Sequence, residues 1–355
     1  MDYENLYELI RRLTEAPCID GYEARGASIA VQIAQNAAVG FFDAYEILSD
    51  NSVLLMHHTG KENAKRLVLD AHLDTVGMIV TELCENGFVK VAPCGGLDPY
   101  VLPSTPVVLY GVRDVYGVVT SVPPHLQRGS EKKKLTVGDL YVDTGLSDEE
   151  QKSVLAVGTP VGYYNGVMKL ANDRVVSKYL DDKACAAAIL YACDMLNREG
   201  YDGSTDVYVL FSAGEEKSAL GARTFPYRLK ADACIVLDVN FAHAPGVKDY
   251  ESLALGKGGG VSYSATIKRE LTQFIVSTAN KYGIPVQKVV EMRSTGTNAT
   301  QLMRNGLPCA VLSVPLRNMH TDAECASLSD IAACGELLAA CVKDFPAAGG
   351  QTNVD

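Results

Sequence analysis

Two histidines and several carboxylates interrupt the apolar runs of this 355-residue chain at places where they could act on a metal or a proton. His72 and Asp74 stand in "LVLDAHLDTVGMIV", Leu67 to Val80. Residues two apart on a strand share a face, so this imidazole and carboxylate are neighbours. Taken alone, the pair suits a core histidine tied to its carboxylate as well as it suits a ligand. Four further clusters follow the same plan: Asp181-Asp182 after "VVSKYL", Glu215-Glu216 after "VLFSAG", Asp238 after "ACIVL", and His320 after "VLSVPLRNM". Each stands at or just past the end of an apolar run, where ligands of open α/β sheets bind. So many like charges converging there are costly unless a cation balances them. Two histidines, two terminal carboxylates and one bridging carboxylate would give each of two divalent ions three protein ligands. Nitrogen and oxygen donors without thiolate suit zinc, with cobalt or manganese as alternatives, about 3.5–4 Å apart. A water shared by such ions is acidic enough to become a nucleophile near neutral pH. Adjacent residues of an extended segment face opposite sides, so one of Glu215 and Glu216 can coordinate while the other serves as general base. Two solvated glutamates opening a helix are the competing reading of that dipeptide.

The elements that must position these groups follow from composition and pattern. Apolar residues make up 47% and charged residues 21% of the chain, which gives an ordinary globular protein of one large or two moderate domains. A net charge of −11 argues against a nucleic-acid partner, because phosphate neutralisation needs a clustered basic surface. The one dense basic run, Lys132-Lys133-Lys134, reads as a solvated loop. The ten cysteines are scattered, form no C-x-x-C, and lie mostly in apolar runs, which points to reduced thiols and a cytoplasmic setting. No stretch approaches the roughly 18 apolar residues of a membrane span, so no membrane partner is expected.

Helical periodicity covers 3–15 and 22–38, followed by strand-like runs at "SVLLMHH" and "RLVLDAH". From about 75 to 165, short alternating runs broken by Gly, Pro and Asp read as a small all-β unit. Beyond it, helices near 183–198, 217–226, 269–282 and 328–345 alternate with the runs "DVYVLFSA", "ACIVLDV" and "PCAVLSVP". The predicted fold is therefore α/β, a central mixed β-sheet flanked by helices, with an inserted small all-β domain. Residues 1–73 and 166–355 would form the catalytic domain, and 74–165 the insertion.

With these residues assembled, the chain resembles family forty-two metallopeptidases, the glutamyl aminopeptidase and tetrahedral (TET) aminopeptidase group. The likeness runs through "AHLDTVGMIV", "GFVKVAPCGGLD", "GVVTSVPPHL", "YLDDKAC", "SAGEEKSALGAR", "CIVLDV", "LGKGGG" and "SVPLRNMHTDAE", in order. It implies a zinc-peptidase-like α/β/α sandwich. By this resemblance His72 and Asp238 hold one metal, Glu216 and His320 the other, and Asp181 bridges both. Asp74 would orient His72 from behind, Glu215 would be the general base, and the Asp181–Asp182 peptide would be cis. The inserted domain would be the family's dimerisation domain, with dimers assembling into a hollow dodecamer that admits short peptides. Two departures bear on substrate: Asn298 stands where the family has an acidic residue, and Leu316, Arg317, Asn318 and Met319 replace a segment that usually carries an aromatic. Specificity for acidic N-terminal residues is therefore not carried over.

The same residues admit other readings. A deacylase or carboxypeptidase could use the same metal scaffold. A glycosidase with paired carboxylates leaves both histidines unexplained, and a non-catalytic peptide-binding protein leaves the intact ligand set without a use. Neither H-E-x-x-H nor G-x-S-x-G occurs. "LGKGGG" departs from the phosphate-loop pattern because Glu251 takes the place of its first glycine, so a tight turn near the site is expected. His57, His58, His125 and His243 read as packing or surface residues. One measurement separates the two metal-dependent readings. Acetylating a peptide's N-terminus should abolish release of its first residue by an aminopeptidase, whereas a deacylase should cleave the acetylated form faster.

Overall fold

The structure is a computed structural model that describes residues 1–122, 134–291 and 295–345. His125, Lys132 and Lys133 lie outside the described residues. An eight-stranded sheet runs in the order Ala44–Ile47, Val53–His57, Thr205–Ser212, Lys65–His72, Ala233–Phe241, Cys309–Leu316, Gly259–Tyr263, Val286–Val290. Its four middle strands are mutually parallel and its flanks include antiparallel pairs, so the sheet is mixed as the pattern predicts. The middle strands are apolar nearly throughout because both faces are covered. Leu67, Leu69 and Ala71 face the core beneath helices Leu180–Arg198 and Leu328–Asp344, while Val68 joins the core under Leu220–Arg228 and Ala299–Arg304. The alanines of Leu180–Arg198 are accounted for by its position: almost every residue from Leu180 to Cys193 is buried between the sheet and Leu328–Asp344.

Between Asp74 and Tyr164 the chain closes a six-stranded barrel from Gly77–Leu83, Phe88–Cys94, Tyr141–Asp143, Asp114–Thr120, Pro106–Tyr110 and Pro160–Tyr163, with its own apolar core. A third sheet joins Met168–Leu170, Arg174–Ser177 and Glu324–Ser327. This corrects one expectation. Asp181 follows a strand of the small sheet and not of the main one, whereas His320 stands, as expected, just past the main-sheet strand Cys309–Leu316, in the loop that leads to Glu324–Ser327. A second difference is local. The helix expected near 217–226 runs Leu220–Arg228, because residues 215–218 form a turn.

The "LGKGGG" segment does form a turn, and its occupant is internal. The amides of Gly256 and Gly258, both at positive φ, donate to the two carboxylate oxygens of Asp330 at 2.7 and 2.8 Å. The anion that these amides attract is the fully buried side chain of Asp330 near the start of the last helix.

The closest approach of the two large helices depends on Gly335, where an added Cβ would lie 2.7 Å from Tyr191 Cδ1 and 2.8 Å from the Ala188 carbonyl. Alanine would favour the helix by about 1 kcal/mol, but overpacking costs about 1–3 kcal/mol. Gly335→Ala should therefore lower the denaturation midpoint; an unchanged or higher midpoint would show that the helices can separate freely.

Candidate functional site

Strand register aligns the first two groups. His72 closes its strand opposite Ser212, and pairing of Asp70 with Val236 brings Asp238 level with His72 on the next strand. Alternation puts both on the face away from Leu69 and Leu237, at the carboxyl end of the parallel strands. Tyr179, in the left-handed region, turns the chain out of the small sheet and delivers Asp181 to the same place. The Asp181–Asp182 peptide is cis, as the resemblance implies. Glu215 and Glu216 arrive from the turn after Thr205–Ser212, and His320, also at positive φ, from the loop after Cys309–Leu316.

His72, Asp181, Glu215, Glu216, Asp238 and His320 all line one cavity of about 400 Å³. His72 Nε2 is 3.0 Å from Asp181 Oδ1, while His320 Nε2 is 3.3 Å from Asp181 Oδ2 and 3.4 Å from Glu216 Oε2. Donor atoms of His72, Asp181 and Glu216 lie within 4.8 Å of one another, as do those of His72, Asp182 and Asp238. The resemblance implies Asp181 beside Asp238; the group within that limit around Asp238 contains Asp182 and His72.

Asp74 is brought close but is used differently. His72 Nδ1 donates to the backbone carbonyl of Asp74 at 2.9 Å, whereas the carboxylate Oδ1 is 3.8 Å away. The carboxylate instead accepts the amides of Glu215 and Glu216, both at 2.9 Å, and so fixes the turn that carries them. The expectation of a carboxylate–histidine hydrogen bond is thus replaced by a carbonyl–histidine one. Orientation of His72 survives. A carbonyl only accepts, so Nδ1 carries the proton and neutral His72 presents a lone pair at Nε2.

The electrostatics describe a cluster short of positive charge. Burial, reinforced by neighbouring carboxylates, pushes Glu215 up to about 7 and Glu216 up to about 10, and raises Asp238 and Asp182 well above the carboxylate range. Burial would lower His72, but its contact with Asp181 and the charges of Asp182, Asp74 and Asp181 outweigh that and raise it. Against its own burial, Asp181 is held below the ordinary range by His320 and His72. Glu216 Oε1 and Asp182 Oδ1 are buried without a hydrogen-bond partner. Buried acceptors left over, two imidazoles directed at one carboxylate, and acids forced toward protonation fit a site built for divalent cations.

Three residues support the site in ways the sequence pattern does not show: Asp182 and Asn298, which that pattern singles out for other reasons, and Glu324, which it does not. Glu324, 1% exposed, accepts the amide of Asp181 at 2.9 Å and that of His320 at 2.6 Å. Asp182 accepts the amide of His72 at 3.1 Å. Asn298 donates to Asp70 and Ser212 beneath the site, at 3.1 and 2.7 Å, and is itself 2% exposed. Glu324 carries only a weak signal, one acid among the mixed polar and apolar residues of "TDAECAS".

Known proteins share this sequence pattern and this fold. The pattern of M42 glutamyl aminopeptidase matches residues 52–337. Lysyl aminopeptidase of Pyrococcus furiosus is 31% identical, with 92% of this chain and 93% of that protein covered. A TET aminopeptidase from a marine sediment archaeon of the Thaumarchaeota superposes with a TM-score of 0.88 at 27% identity, covering 96% of this chain and 97% of that one. The Pyrococcus horikoshii TET1 peptidase, described as assembling into a tetrahedron or a large octahedral shell, gives 0.82 at 25% identity over 96% and 100% of the two chains. A pattern matched along most of the chain, on the expected fold, leaves one conclusion: this chain belongs to the M42 glutamyl aminopeptidase family and is a peptide hydrolase.

Proposed function

We propose that the chain removes N-terminal residues from short peptides at a dinuclear metal centre held by His72, Asp181, Glu216, Asp238 and His320. The observation that carries this reading is the convergence of all five side chains on one cavity from strands of the main sheet and from segments that follow strands of the main and small sheets. Zinc is the preferred metal, with cobalt or manganese as alternatives. When bound, such ions polarise the scissile carbonyl and acidify a water.

The chain's own residues supply the rest. Glu215 lines the cavity without coordinating in this assignment, and burial brings it near 7, where a carboxyl group can take a proton from water and pass it to the leaving amine. Asp74, by fixing the amides of Glu215 and Glu216, sets the base and a ligand in a common frame. Asp238, Glu216 and Glu215 are also suited to receive a free α-ammonium, which supports exopeptidase action. Glu324 positions Asp181 and His320 through their amides.

The family resemblance gives the assembly reading, barrel-mediated dimers built into a dodecamer, and the horikoshii peptidase's tetrahedral assembly supports it. Exposed Tyr100, Val112, Tyr116 and Tyr164, in or beside the barrel, support it. Ten unpaired cysteines, nine of them buried, support a reducing cytoplasm. No helix among the described residues is long and apolar enough to cross a membrane.

Two tests address the chemistry. Chelation should abolish release of amino acids from aminoacyl-nitroanilides, and Glu215→Gln should lower kcat by about 10²–10⁴-fold with metal content unchanged by elemental analysis. Activity persisting in either case removes the mechanism. Glu324→Gln replaces one accepting oxygen by an amide donor. It should weaken Co²⁺ affinity of the metal-depleted protein by about 10–100-fold, read by competition with a chromophoric chelator; unaltered affinity would leave Glu324 a purely structural residue.

A further inference from the structure

One carboxylate in the cavity has no place in the metal centre or the proton transfer. Glu291 follows strand Val286–Val290 at the sheet edge, is half-buried, and lines the same cavity as His72 and Glu215. Its amide donates to the Tyr263 carbonyl at 2.9 Å, which anchors the backbone. Its Oε1 accepts from Asn240 Nδ2 at 3.2 Å and lies 3.4 Å from the Ser262 hydroxyl. Both partners are neutral. Among the described residues lining the cavity, His72 and His320 alone are basic, and both face Asp181. The Glu291 carboxylate is therefore aimed by neutral donors and, among the described residues, meets no counter-charge in the cavity.

We infer that Glu291 sets the specificity of this site by receiving a cationic side chain, lysine or arginine, on the N-terminal residue of the peptide. The inference rests on the aminopeptidase reading above. An exopeptidase that grips the free amine beside its metals must lodge the adjoining side chain in the same cavity, and a volume of about 400 Å³ leaves room for one residue there. Apolar Val239, Phe241, Val311 and Met319 line that cavity and suit the methylene stem of a long side chain. Glu291 suits its charged end, in a partly dehydrated setting where opposite charges attract and like charges are rejected. An acidic N-terminal residue would meet Glu291 as a second negative charge.

The test is a panel of Lys-, Arg-, Leu- and Glu-p-nitroanilides on the metal-repleted full chain and on Glu291→Gln and Glu291→Lys. Ratios of kcat/KM are read, so a variant that folds poorly still reports selectivity. The wild-type chain should favour Lys and Arg over Leu by at least about tenfold, and Glu291→Gln should erase about that factor. Glu291→Lys should turn the preference toward Glu. A Lys-to-Leu ratio unchanged by Glu291→Gln, or a wild-type preference for Glu, overturns the assignment while leaving the aminopeptidase intact. Failure to cleave any of the four substrates, with metals bound, overturns the aminopeptidase reading itself and this inference with it.

Discussion

Crowded negative charge in a buried place is the constraint that organises this molecule. Asp181, Asp182, Asp238, Glu215 and Glu216 come together with Asp74 and Asp70 close behind, and His72 and His320 are the basic groups among them. Without added cations the cluster can persist only by taking up protons, which is the direction in which burial drives Glu215, Glu216, Asp182 and Asp238. A fold that held these groups together for stability alone would gain more from apolar side chains of similar volume. The arrangement makes physical sense as a receptacle for positive charge.

Three blocks of structure hold that receptacle. The main sheet contributes His72 and Asp238 directly, and Glu215 and Glu216 through the turn after Ser212. The small sheet contributes Asp181 and Glu324, with His320 in the loop just before the latter. The barrel meets both where Tyr163 donates its amide to the Tyr179 hydroxyl at 2.6 Å, two residues before Asp181. Gly95 and Gly96 bring its edge against Glu216 and His320, where a Cβ would stand 3.4 and 3.2 Å from those side chains. Glycine at these two positions keeps the barrel edge clear of both side chains.

Legibility followed the physics of each element. The parallel strands are legible because burial on both faces writes them as Val-, Leu- and Ile-rich runs, and the eight histidines and acids of the five clusters stand out against apolar runs of this kind. Turns and loops wrote no such pattern. The Glu215–Glu216 turn was read as extended, and the direction of the Asp74 carboxylate was set by amides 141 and 142 residues away. Asn298 marks a departure in sequence that bears on substrate, yet it is buried against Asp70 and Ser212 while its neighbours Gly296 and Thr297 line the cavity. Glu291 offered no signal at all, since a lone acid after an edge strand is ordinary until the cavity wall is seen.

The Glu324 carboxylate joins the amides of two residues separated by 139 positions in the chain, Asp181 and His320. Because it grips backbone and not side chains, the aim of both donors is settled when the polypeptide folds, before any ion arrives. Preorganisation of this kind removes loop ordering from the loading step, so the entropy of fixing the two segments falls on folding and the affinity of the receptacle is spared it.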